Sequence, residues 1–574
     1  MSTRSRWLID KSEAVSQGGM VTSMHPLAAE AGADILARGG SAIDAAIATA
    51  FAVGVVEPFM SGVGGIAFLV YRDAASGRTT CLDGSSVLPA AIRPEMFELL
   101  GPDQRSGMYM WRSVKNDANN TGWLTPAVPG MPALMEEAHR RYGRLPWRTL
   151  LEPAIRLADQ GFDVDFYVGM FIAANYERLQ RCETSRRTFI KPSGAPLAPA
   201  TGFSSNDRLV QKDLARTLRL IAEEGAQVVY RGEVARLIAE DMRRHGGLIT
   251  EADLAAHKTT VHEQATGVPY RDCEIHGQLE NSGYATVVEA LSILEGFDLA
   301  RLRFQSVESL HLIIESIRRA FADRLRFLGD AALMPVPYQG MISKAFADAR
   351  RATIDPEKAT PDAAHGDPWP FDRKEHAWTP ARSSRAGEGM TTHITAVDRD
   401  RNLVSLTSTL GMAFGSAVVI DLAGICLNNG TCWFDPEPGS VTSIGPGKRI
   451  LSAASPVVVT RRGRPLAAIG SPGGRRVISA VYQCLVNVID YQLGMQAAIS
   501  APRTHAEDRS TLVSDRFPAP VIDGLRSIGH DVTVCEDNLS GGQFARPSGT
   551  MVDEKTGELR AGVFQFTPAT AIGV

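Results

Sequence analysis

The sequence changes character at Met390, and this change constrains the fold more than any other feature of the chain. Before Met390, the apolar residues mostly show the spacing of amphipathic helices. Predicted helices cover residues 25–38, 42–55, 131–142, 150–160, 209–224 and 307–328, and a β-type run covers residues 67–71. After Met390, predicted strands cover residues 392–398, 403–410, 417–420, 457–460 and 466–469, with a helix over 477–493. A helix-rich first part and a strand-rich second part indicate an α+β protein with sheets covered by helices.

The junction between the two parts carries a candidate nucleophile. Residues 356–387 are rich in Pro, Asp, Ser and Arg and lack apolar periodicity, which predicts a flexible, exposed segment. Thr391 follows shortly after it. A threonine hydroxyl becomes a good nucleophile when the residue begins a chain, because its own α-amino group then acts as the base. We therefore hypothesise self-cleavage between Met390 and Thr391, into a large fragment of residues 1–390 and a small fragment of residues 391–574 that together form one intertwined domain.

Composition excludes several classes of function. The 574-residue chain is 44% hydrophobic and 22% charged, with a formal net charge of −4. Scattered basic residues give no electrostatic case for a nucleic-acid or anionic membrane partner. Seven cysteines without CxxC spacing indicate free thiols in a reducing compartment. No apolar run is long enough for a signal segment or a membrane span, so we expect a cytoplasmic protein.

Several motifs in a fixed order identify a family. The chain resembles the γ-glutamyltransferase-like N-terminal nucleophile hydrolases, which include cephalosporin acylases, and the resemblance covers nearly its whole length. The motifs are Gly19-Met20-Val21-Thr22-Ser23 with His25-Pro26, Gly40-Ser41-Ala42-Ile43-Asp44, Val56-Glu57-Pro58, Gly246-Gly247-Leu248-Ile249-Thr250, Thr391-Thr392-His393, Asn428-Asn429 and Gly470-Ser471-Pro472-Gly473-Gly474. The resemblance implies a four-layer αββα fold, autocatalytic cleavage into two subunits, and amide hydrolysis or acyl transfer by the freed threonine.

The resemblance also implies roles for particular residues. Thr391 would be the nucleophile, and Thr409 would hydrogen-bond to it. Gly473 and Gly474 would present backbone N–H groups as an oxyanion hole, which glycine favours because it permits close backbone approach. His393 lies on the same face as Thr391 by strand alternation, but the α-amine already supplies the base, so we interpret it as structural.

The substrate-binding positions depart from the family pattern. Where relatives hold the α-carboxylate of a γ-glutamyl group with arginine, this chain has Ser85. Where they use an aspartate after the Asn428-Asn429 pair, it has Trp433, which we interpret as a pocket wall, with core packing as the alternative. Other positions at the predicted substrate site are Gly411 in place of an asparagine, Ser452 beside Ala453 in place of two serines, Asn429, and Arg475. A neutral serine cannot replace a bidentate arginine–carboxylate contact.

Arg475 and its neighbour Arg476 have a plain alternative, that both are solvated, and Arg476 matches a structural arginine of the family. If Arg475 is not solvated, it is a candidate for binding an acidic substrate. The short stretch from Trp433 to Lys448, where many relatives have a longer lid loop, predicts an open or altered pocket.

Three hypotheses follow. The first is a self-processing threonine amidohydrolase that acts on a small amide whose acyl group is not an ordinary γ-glutamyl group. The second is a true γ-glutamyl hydrolase or transpeptidase, with arginines elsewhere replacing the missing contact. The third is an unprocessed, inactive binding protein. We expect no cofactor and no metal, and we expect the two fragments to pair as a heterodimer that can dimerise further.

Overall fold

The computed structural model describes residues 9–202, 205–372, 389–539 and 542–574. Its helices are Pro26–Ala37, Ala42–Val56, Met131–Tyr142, Trp147–Gln160, Phe166–Ala174, Tyr176–Leu179, Glu183–Phe189, Lys212–Glu224, Val228–Arg231, Glu233–Arg244, Glu251–Ala256, Tyr284–Leu294, Val307–Phe327, Tyr338–Met341, Lys344–Arg351, Arg476–Ile489, Met495–Ser500 and Ala519–Ser527. The predicted helices within residues 25–224 and over 307–328 are all present, with ends shifted by a few residues.

Two antiparallel sheets of seven strands each form from the described residues. The first sheet runs in the order Thr570–Gly573, Met20–Ser23, Met390–Val397, Leu403–Gly411, Ile66–Arg72, Thr79–Gly84, Thr260–His262. The second runs Ala14–Ser16, Leu559–Val563, Ser548–Val552, Arg464–Gly470, Val457–Arg461, Cys273–Gly277, Thr266–Tyr270. A smaller sheet contains Thr504–His505, Ser510–Ser514 and Asp531–Cys535, and residues 105–112 and 162–209 supply two short strand pairs.

The two large sheets pack face to face, and helices cover both outer faces. Helices Pro26–Ala37 and Ala42–Val56 lie on the first sheet, while Arg476–Ile489 and Met495–Ser500 lie on the second. Every residue of Ala42–Val56 is buried, because a second layer of helices covers its far side. This is the four-layer αββα arrangement that the resemblance implied.

Local sequence signals explain where the long buried helix begins. Ser41 caps Ala42–Val56 by accepting the N–H of Asp44, and Asp44 in turn accepts the N–H of Ser41, which forms a capping box. Asp44 Oδ2 also accepts the backbone N–H groups of Arg144 and Leu145 at 2.9 and 3.1 Å. One buried carboxylate therefore fixes the helix start and the loop that crosses it.

One predicted strand is wrong, and one predicted helix is shorter than expected. Residues 417–420 form no strand: Ala417 has a φ of 59°, and Val419 pairs only in an isolated bridge with Cys426. The predicted helix over 477–493 ends at Ile489, because the chain turns before Gln492, whose φ is 52°. Of the predicted exposed segment, residues 356–372 are described and mostly exposed, while residues 373–387 lie outside the described residues.

We predict that Asp44→Ala lowers the free energy of unfolding by about 3 kcal/mol, since the buried N–H of Ser41 and the partly buried N–H groups of Arg144 and Leu145 lose their acceptor. Urea unfolding followed by circular dichroism measures the change. Asp34→Ala removes an exposed carboxylate from the preceding helix and serves as the control, with an expected change below about 0.5 kcal/mol. Equal stability of the two variants would contradict the role assigned to Asp44.

Candidate active site

Thr391 lies in an irregular step between two central strands of the first sheet. Met390 pairs with Gly411, but Thr392 pairs with Ser408, so the register shifts across Thr391. Such irregularities release a residue from regular pairing and re-aim its side chain. The shift places the Thr391 side chain opposite Thr409, where its Oγ1 donates to Thr409 Oγ1 at 3.2 Å.

Thr409 connects the candidate nucleophile to the peptide bond that would be cut. Its hydroxyl donates to the carbonyl oxygen of Met390 at 2.5 Å and accepts the backbone N–H of Gly411 at 2.9 Å. Because a hydroxyl has a single proton to donate, Thr409 accepts a hydrogen bond from Thr391 and uses its own proton to polarise the Met390 carbonyl. The two threonines and the Met390 carbonyl thus form one short hydrogen-bonded chain in the uncleaved protein.

The Gly473-Gly474 turn lies against the junction. It follows strand Arg464–Gly470 and precedes helix Arg476–Ile489, and both glycines have positive φ, at 137° and 60°. A side chain on Gly389 would meet the Gly474 backbone N at 3.1 Å. Glycine is required here for conformation and for close approach. The turn therefore brings backbone amides next to the chain that enters the Met390–Thr391 bond.

Gly411 and Trp433 fit each other. Gly411 has a φ of 103°, and a Cβ atom there would lie 3.0 Å from the Trp433 indole and 2.2 Å from Asn429 Oδ1. The indole thus blocks the space that an asparagine at position 411 would need. Trp433 is 5% exposed, packs within an apolar cluster and also lines a cavity. Both interpretations of Trp433, core and pocket wall, therefore describe part of its surroundings.

The side-chain amide of Asn429 bonds to backbone groups through both its oxygen and its nitrogen. Its Oδ1 accepts the N–H of Met412 at 3.0 Å, and its Nδ2 donates to the carbonyl of Asn120 at 3.0 Å. In the uncleaved chain it therefore holds the end of strand Leu403–Gly411 against the loop at residue 120.

Ser85 and Ser452 are both buried and both lie beside arginines. Arg449 Nη1 donates to Ser85 Oγ at 3.4 Å. A guanidinium from another segment therefore reaches position 85, where the family resemblance implies an arginine. Ser452 Oγ accepts the N–H of Ala454 at 3.0 Å, and its carbonyl accepts Arg324 Nη2 at 2.9 Å. The sequence patterns gave no sign of either arginine, because each comes from a different segment.

Arg475 and Arg476 are buried, so the alternative that both side chains lie in solvent is wrong. They are 5% and 6% exposed. Arg475 forms a two-point ion pair with Glu507, at 3.0 and 2.8 Å, and its guanidinium lies over the Tyr109 ring at 4.7 Å. Burial acts to raise the pKa of Glu507, but Arg475 and His505 outweigh it and hold that pKa at about 2.

His393 is a buried, neutral histidine beneath the site. Its Nδ1 bonds to Thr407 Oγ1 at 2.9 Å, and its ring fills the space above Gly470. Burial lowers the pKa of His393 to about 3, so the ring carries no charge at neutral pH. Its surroundings agree with a structural interpretation.

A cavity lies beside elements that surround the candidate nucleophile. It is bounded by Tyr109, Trp111, Arg324, Leu328, Trp433 and Arg475. Trp433 touches the position of Gly411, and Arg475 directly follows Gly474, so two of its walls belong to the elements that surround Thr391. Sequence reasoning missed Tyr109, Trp111 and Arg324, which lie in segments remote from the quoted motifs.

One His–Glu–His group occurs in the part of the chain that the structure describes, away from these elements. His311 Nδ1 and His530 Nε2 hydrogen-bond to each other at 2.9 Å, and Glu315 is paired with Arg319 at 2.6 Å. Glu315 is thus engaged by an arginine, and the two histidines bond to each other, while His530 Nδ1 has no hydrogen-bond partner among the described residues. Within the described ranges, no helix has both the length and the apolar character needed to cross a bilayer.

The fold and this arrangement define a class, the N-terminal nucleophile hydrolases of the transpeptidase and acylase type. The family model for gamma-glutamyltranspeptidase matches residues 28–562. The acylase ACY 1 proenzyme of Pseudomonas sp. (strain SE83) is 37% identical over 94% of this chain and 92% of its own length. The glutathione hydrolase proenzyme of Bacillus subtilis (strain 168) is 33% identical over 90% and 85%.

Solved structures agree with this class. The cephalosporin acylase from Bacillus halodurans superposes with a TM-score of 0.85 at 29% identity, covering 100% of this chain and 99% of that one. The chain belongs to the gamma-glutamyltranspeptidase family, and it is an enzyme of the transpeptidase and acylase kind.

We predict that Thr409→Val slows cleavage at Met390–Thr391 about 100-fold, the usual effect of removing one donor from a developing oxyanion. Amide turnover should fall with the cleaved fraction, because an uncleaved chain has no free α-amine on Thr391. Cleavage is followed by gel electrophoresis of freshly made protein. Thr407→Val removes a hydroxyl two residues away on the same strand, which bonds to His393, and it is expected to cleave normally. If both variants fail equally, the effect belongs to the strand and not to the Thr409 hydroxyl.

Proposed function

We propose that this protein is a proenzyme that cuts itself between Met390 and Thr391 and then hydrolyses a small amide through an acyl-enzyme on Thr391. The observation that carries the proposal is the hydrogen-bonded chain from Thr391 through Thr409 to the Met390 carbonyl. It joins a nucleophile, its hydroxyl partner and the bond to be broken.

Self-cleavage follows from this geometry. Thr391 Oγ1 attacks the Met390 carbonyl carbon, and the Thr409 hydroxyl stabilises the charge that develops on the carbonyl oxygen. Collapse breaks the C–N bond and leaves Met390 as an ester on Thr391, whose nitrogen takes up the hydroxyl proton. Water then hydrolyses the ester, which releases a carboxylate on Met390 and a free amine on Thr391.

Turnover reuses the same hydroxyl with a new base. The freed amine of Thr391 accepts the hydroxyl proton as Oγ1 attacks the substrate amide. We assign the backbone N–H groups of Gly473 and Gly474 to the oxyanion, because their turn lies against the junction. The leaving amine takes the proton, an acyl-enzyme remains, and water releases the acid and restores Thr391.

The two fragments would stay together after cleavage. Strands Met390–Val397 and Leu403–Gly411 lie between Met20–Ser23 and Ile66–Arg72 of the large fragment in one sheet. Separation would break a buried sheet on both edges, so residues 1–390 and 391–574 would remain one intertwined unit. The seven cysteines are free thiols, which supports a reducing, cytoplasmic setting.

The acyl group is not an ordinary γ-glutamyl group. Ser85, Trp433 and Gly411 replace the charged and amide groups that would hold a free amino acid, and Trp433 fills the space beside Gly411. An amino-acid acceptor would need similar contacts, so hydrolysis is favoured over transfer. The acylase names of the 37% identical Pseudomonas proenzyme and of the superposable Bacillus halodurans structure support this direction.

One observation favours the second candidate, true γ-glutamyl hydrolysis or transfer. The Arg449 guanidinium lies 3.4 Å from Ser85 Oγ, close to where an α-carboxylate would need a cation. The third candidate, an unprocessed binding protein, requires that the Met390–Thr391 bond stay intact.

We predict that purified protein gives two masses on intact-mass spectrometry, with one fragment beginning at Thr391. Thr391→Ala removes the attacking oxygen, so this variant should give one full-length mass and no amide turnover. Thr391→Ser keeps a hydroxyl and should still cleave. Cleavage of the alanine variant at the same bond, or a full-length wild-type mass after long incubation, would contradict the self-processing proposal.

We predict that processed protein releases aniline from a γ-glutamyl anilide at least about 100-fold more slowly than from the des-amino analogue of that substrate. The control is Arg449→Gln, which removes the guanidinium at Ser85. If the γ-glutamyl anilide is the better substrate and loses its turnover in Arg449→Gln, the second candidate replaces the first.

A further inference from the structure

The Gly473-Gly474 turn needs support from outside its own backbone. Both glycines have positive φ, and glycine populates such conformations and several others at similar energy. Backbone donors lower a barrier only if they are held where the charge will develop. On the strand side, Ser471 Oγ accepts the backbone N–H of Arg546 at 3.1 Å. On the helix side, the turn is followed directly by Arg475, whose side chain supplies the second support.

A buried ion pair anchors Arg475 at the start of helix Arg476–Ile489. Glu507 accepts two N–H groups of its guanidinium, at 3.0 and 2.8 Å, and the two residues are only 5% and 7% exposed. The pKa of Glu507 is about 2, so the pair stays charged at neutral pH. A two-point contact of this kind fixes orientation as well as distance. The Gly474 carbonyl accepts the N–H of Val477 at 3.2 Å, so the turn and the start of the helix form one unit.

Two more polar side chains extend this contact along the helix. Ser479 and Gln483 follow Arg475 at intervals of four residues, so all three lie on one face of the helix. Ser479 Oγ bonds to His505 Nδ1 at 2.9 Å, and Gln483 Nε2 donates to the Thr504 carbonyl at 2.7 Å. Successive helix turns therefore bond to successive positions of one short segment.

This polar match determines where the helix lies. Every residue of Arg476–Ile489 is buried. Apolar contacts tolerate small shifts, whereas buried hydrogen bonds and charges are satisfied in one arrangement. The Arg475–Glu507 pair is the charged member of the series and the member nearest Gly474. It therefore restrains the turn more than the other two contacts do.

We propose that Glu507 is a positioning residue for amide turnover, which holds the Gly473-Gly474 turn in place through Arg475. The inference rests on the proposed hydrolysis at Thr391. The Glu507 carboxylate is engaged by Arg475, and it acts on the reaction through the position of the backbone donors that follow from that pair.

The two reactions proposed for Thr391 depend on Glu507 differently. In self-cleavage, the charge on the Met390 carbonyl oxygen is stabilised by Thr409, which already donates to that oxygen. In turnover, the oxyanion is assigned to the glycine turn. Removing the charge of Glu507 should therefore slow acyl transfer and leave self-cleavage unchanged, whereas general damage to the fold would slow both.

The test uses 4-nitrophenyl acetate, a small activated ester, on cleaved protein. Thr391 Oγ1 attacks the ester carbonyl, its proton passes to the α-amine, 4-nitrophenolate leaves, and the acetyl group stays on the oxygen. An acetyl group that peptide mass locates on Thr391 and that hydroxylamine removes reports this step. We expect Glu507→Gln to cleave itself within about threefold of the wild-type rate and to be acetylated about 100-fold more slowly, because small misplacements of catalytic groups have effects of that size.

Glu554→Gln is the matched control. Glu554 also pairs with arginines, Arg461 at 2.7 Å and Arg464 at 3.4 Å. Arg464 begins the strand that ends at Gly470, so this pair lies at the end of the strand opposite the glycine turn. The control variant should match wild type in both reactions.

Glu507→Gln leaves the Arg475 charge buried without its carboxylate, so this single variant can lose stability. A double variant, Arg475→Met with Glu507→Leu, removes both charges and should regain stability, because no buried charge is left without its partner. We expect its unfolding temperature to approach that of wild type. Acetylation should stay at least about tenfold slower than in wild type, because the turn has lost its anchor.

The outcomes separate the two proposals. An uncleaved wild-type chain overturns the proposed function itself, and cleaved wild-type protein without an acetyl group on Thr391 overturns its acyl-enzyme step. Equal slowing of cleavage and acetylation in Glu507→Gln, or wild-type rates for both, overturns the positioning role while the proposed function stands. Full recovery of acetylation in the double variant also overturns the positioning role, because only the uncompensated charge would then have been harmful.

Discussion

The pairing of Met390–Val397 with Leu403–Gly411 is the interaction on which the rest of the structure depends. These strands lie in the middle of the first sheet, flanked on both sides by strands that precede Met390 in the chain. A cut before Thr391 would therefore free an amino terminus in the buried centre of the molecule and leave the sheet's hydrogen bonds in place. The strand pairing is irregular at Thr391, and this irregularity directs the Thr391 hydroxyl toward Thr409. The same strand pairing that holds the first sheet together therefore also positions the candidate nucleophile.

The residues at the predicted substrate site that differ from the family pattern depend on one another. A side chain at Gly411 and the indole of Trp433 would compete for the same space, so the two replacements depend on each other. Ser85 similarly leaves space that the Arg449 guanidinium reaches. Restoring a single family residue would create a clash or an unpaired buried charge before it restored a contact. This coupling explains how the candidate catalytic groups can keep their geometry while the recognition groups beside them differ.

Much of the fold follows from local sequence signals, and most of the cavity does not. Ser41 and Asp44 mark a helix start by capping, and the alternating run after Met390 marks a central strand. The error at residues 417–420 arose because β-type composition says nothing about the positive φ of Ala417, which packing imposes. The predicted roles of Thr391, Thr409 and the glycine turn rest on the family resemblance, whose motifs are local in the sequence. Arg475 was expected in solvent or on a substrate, since its partner Glu507 lies 32 residues away and comes near only through the fold.

Charge in a buried cavity constrains a substrate more strongly than shape does. An apolar wall accepts many chains, and one methylene changes transition-state binding by only about 1–3 kcal/mol. A buried guanidinium without a counterion discriminates more sharply, because the wrong ligand leaves the charge unpaired in a medium that solvates it poorly. The Glu507–Arg475 pair matters for this reason. Because Arg475 binds both oxygens of Glu507, that carboxylate forms no ion pair with Arg324 among the described residues. The same pair fixes Arg475, the residue that follows Gly474, so one ion pair links the position of the glycine turn to the electrostatic character of the pocket.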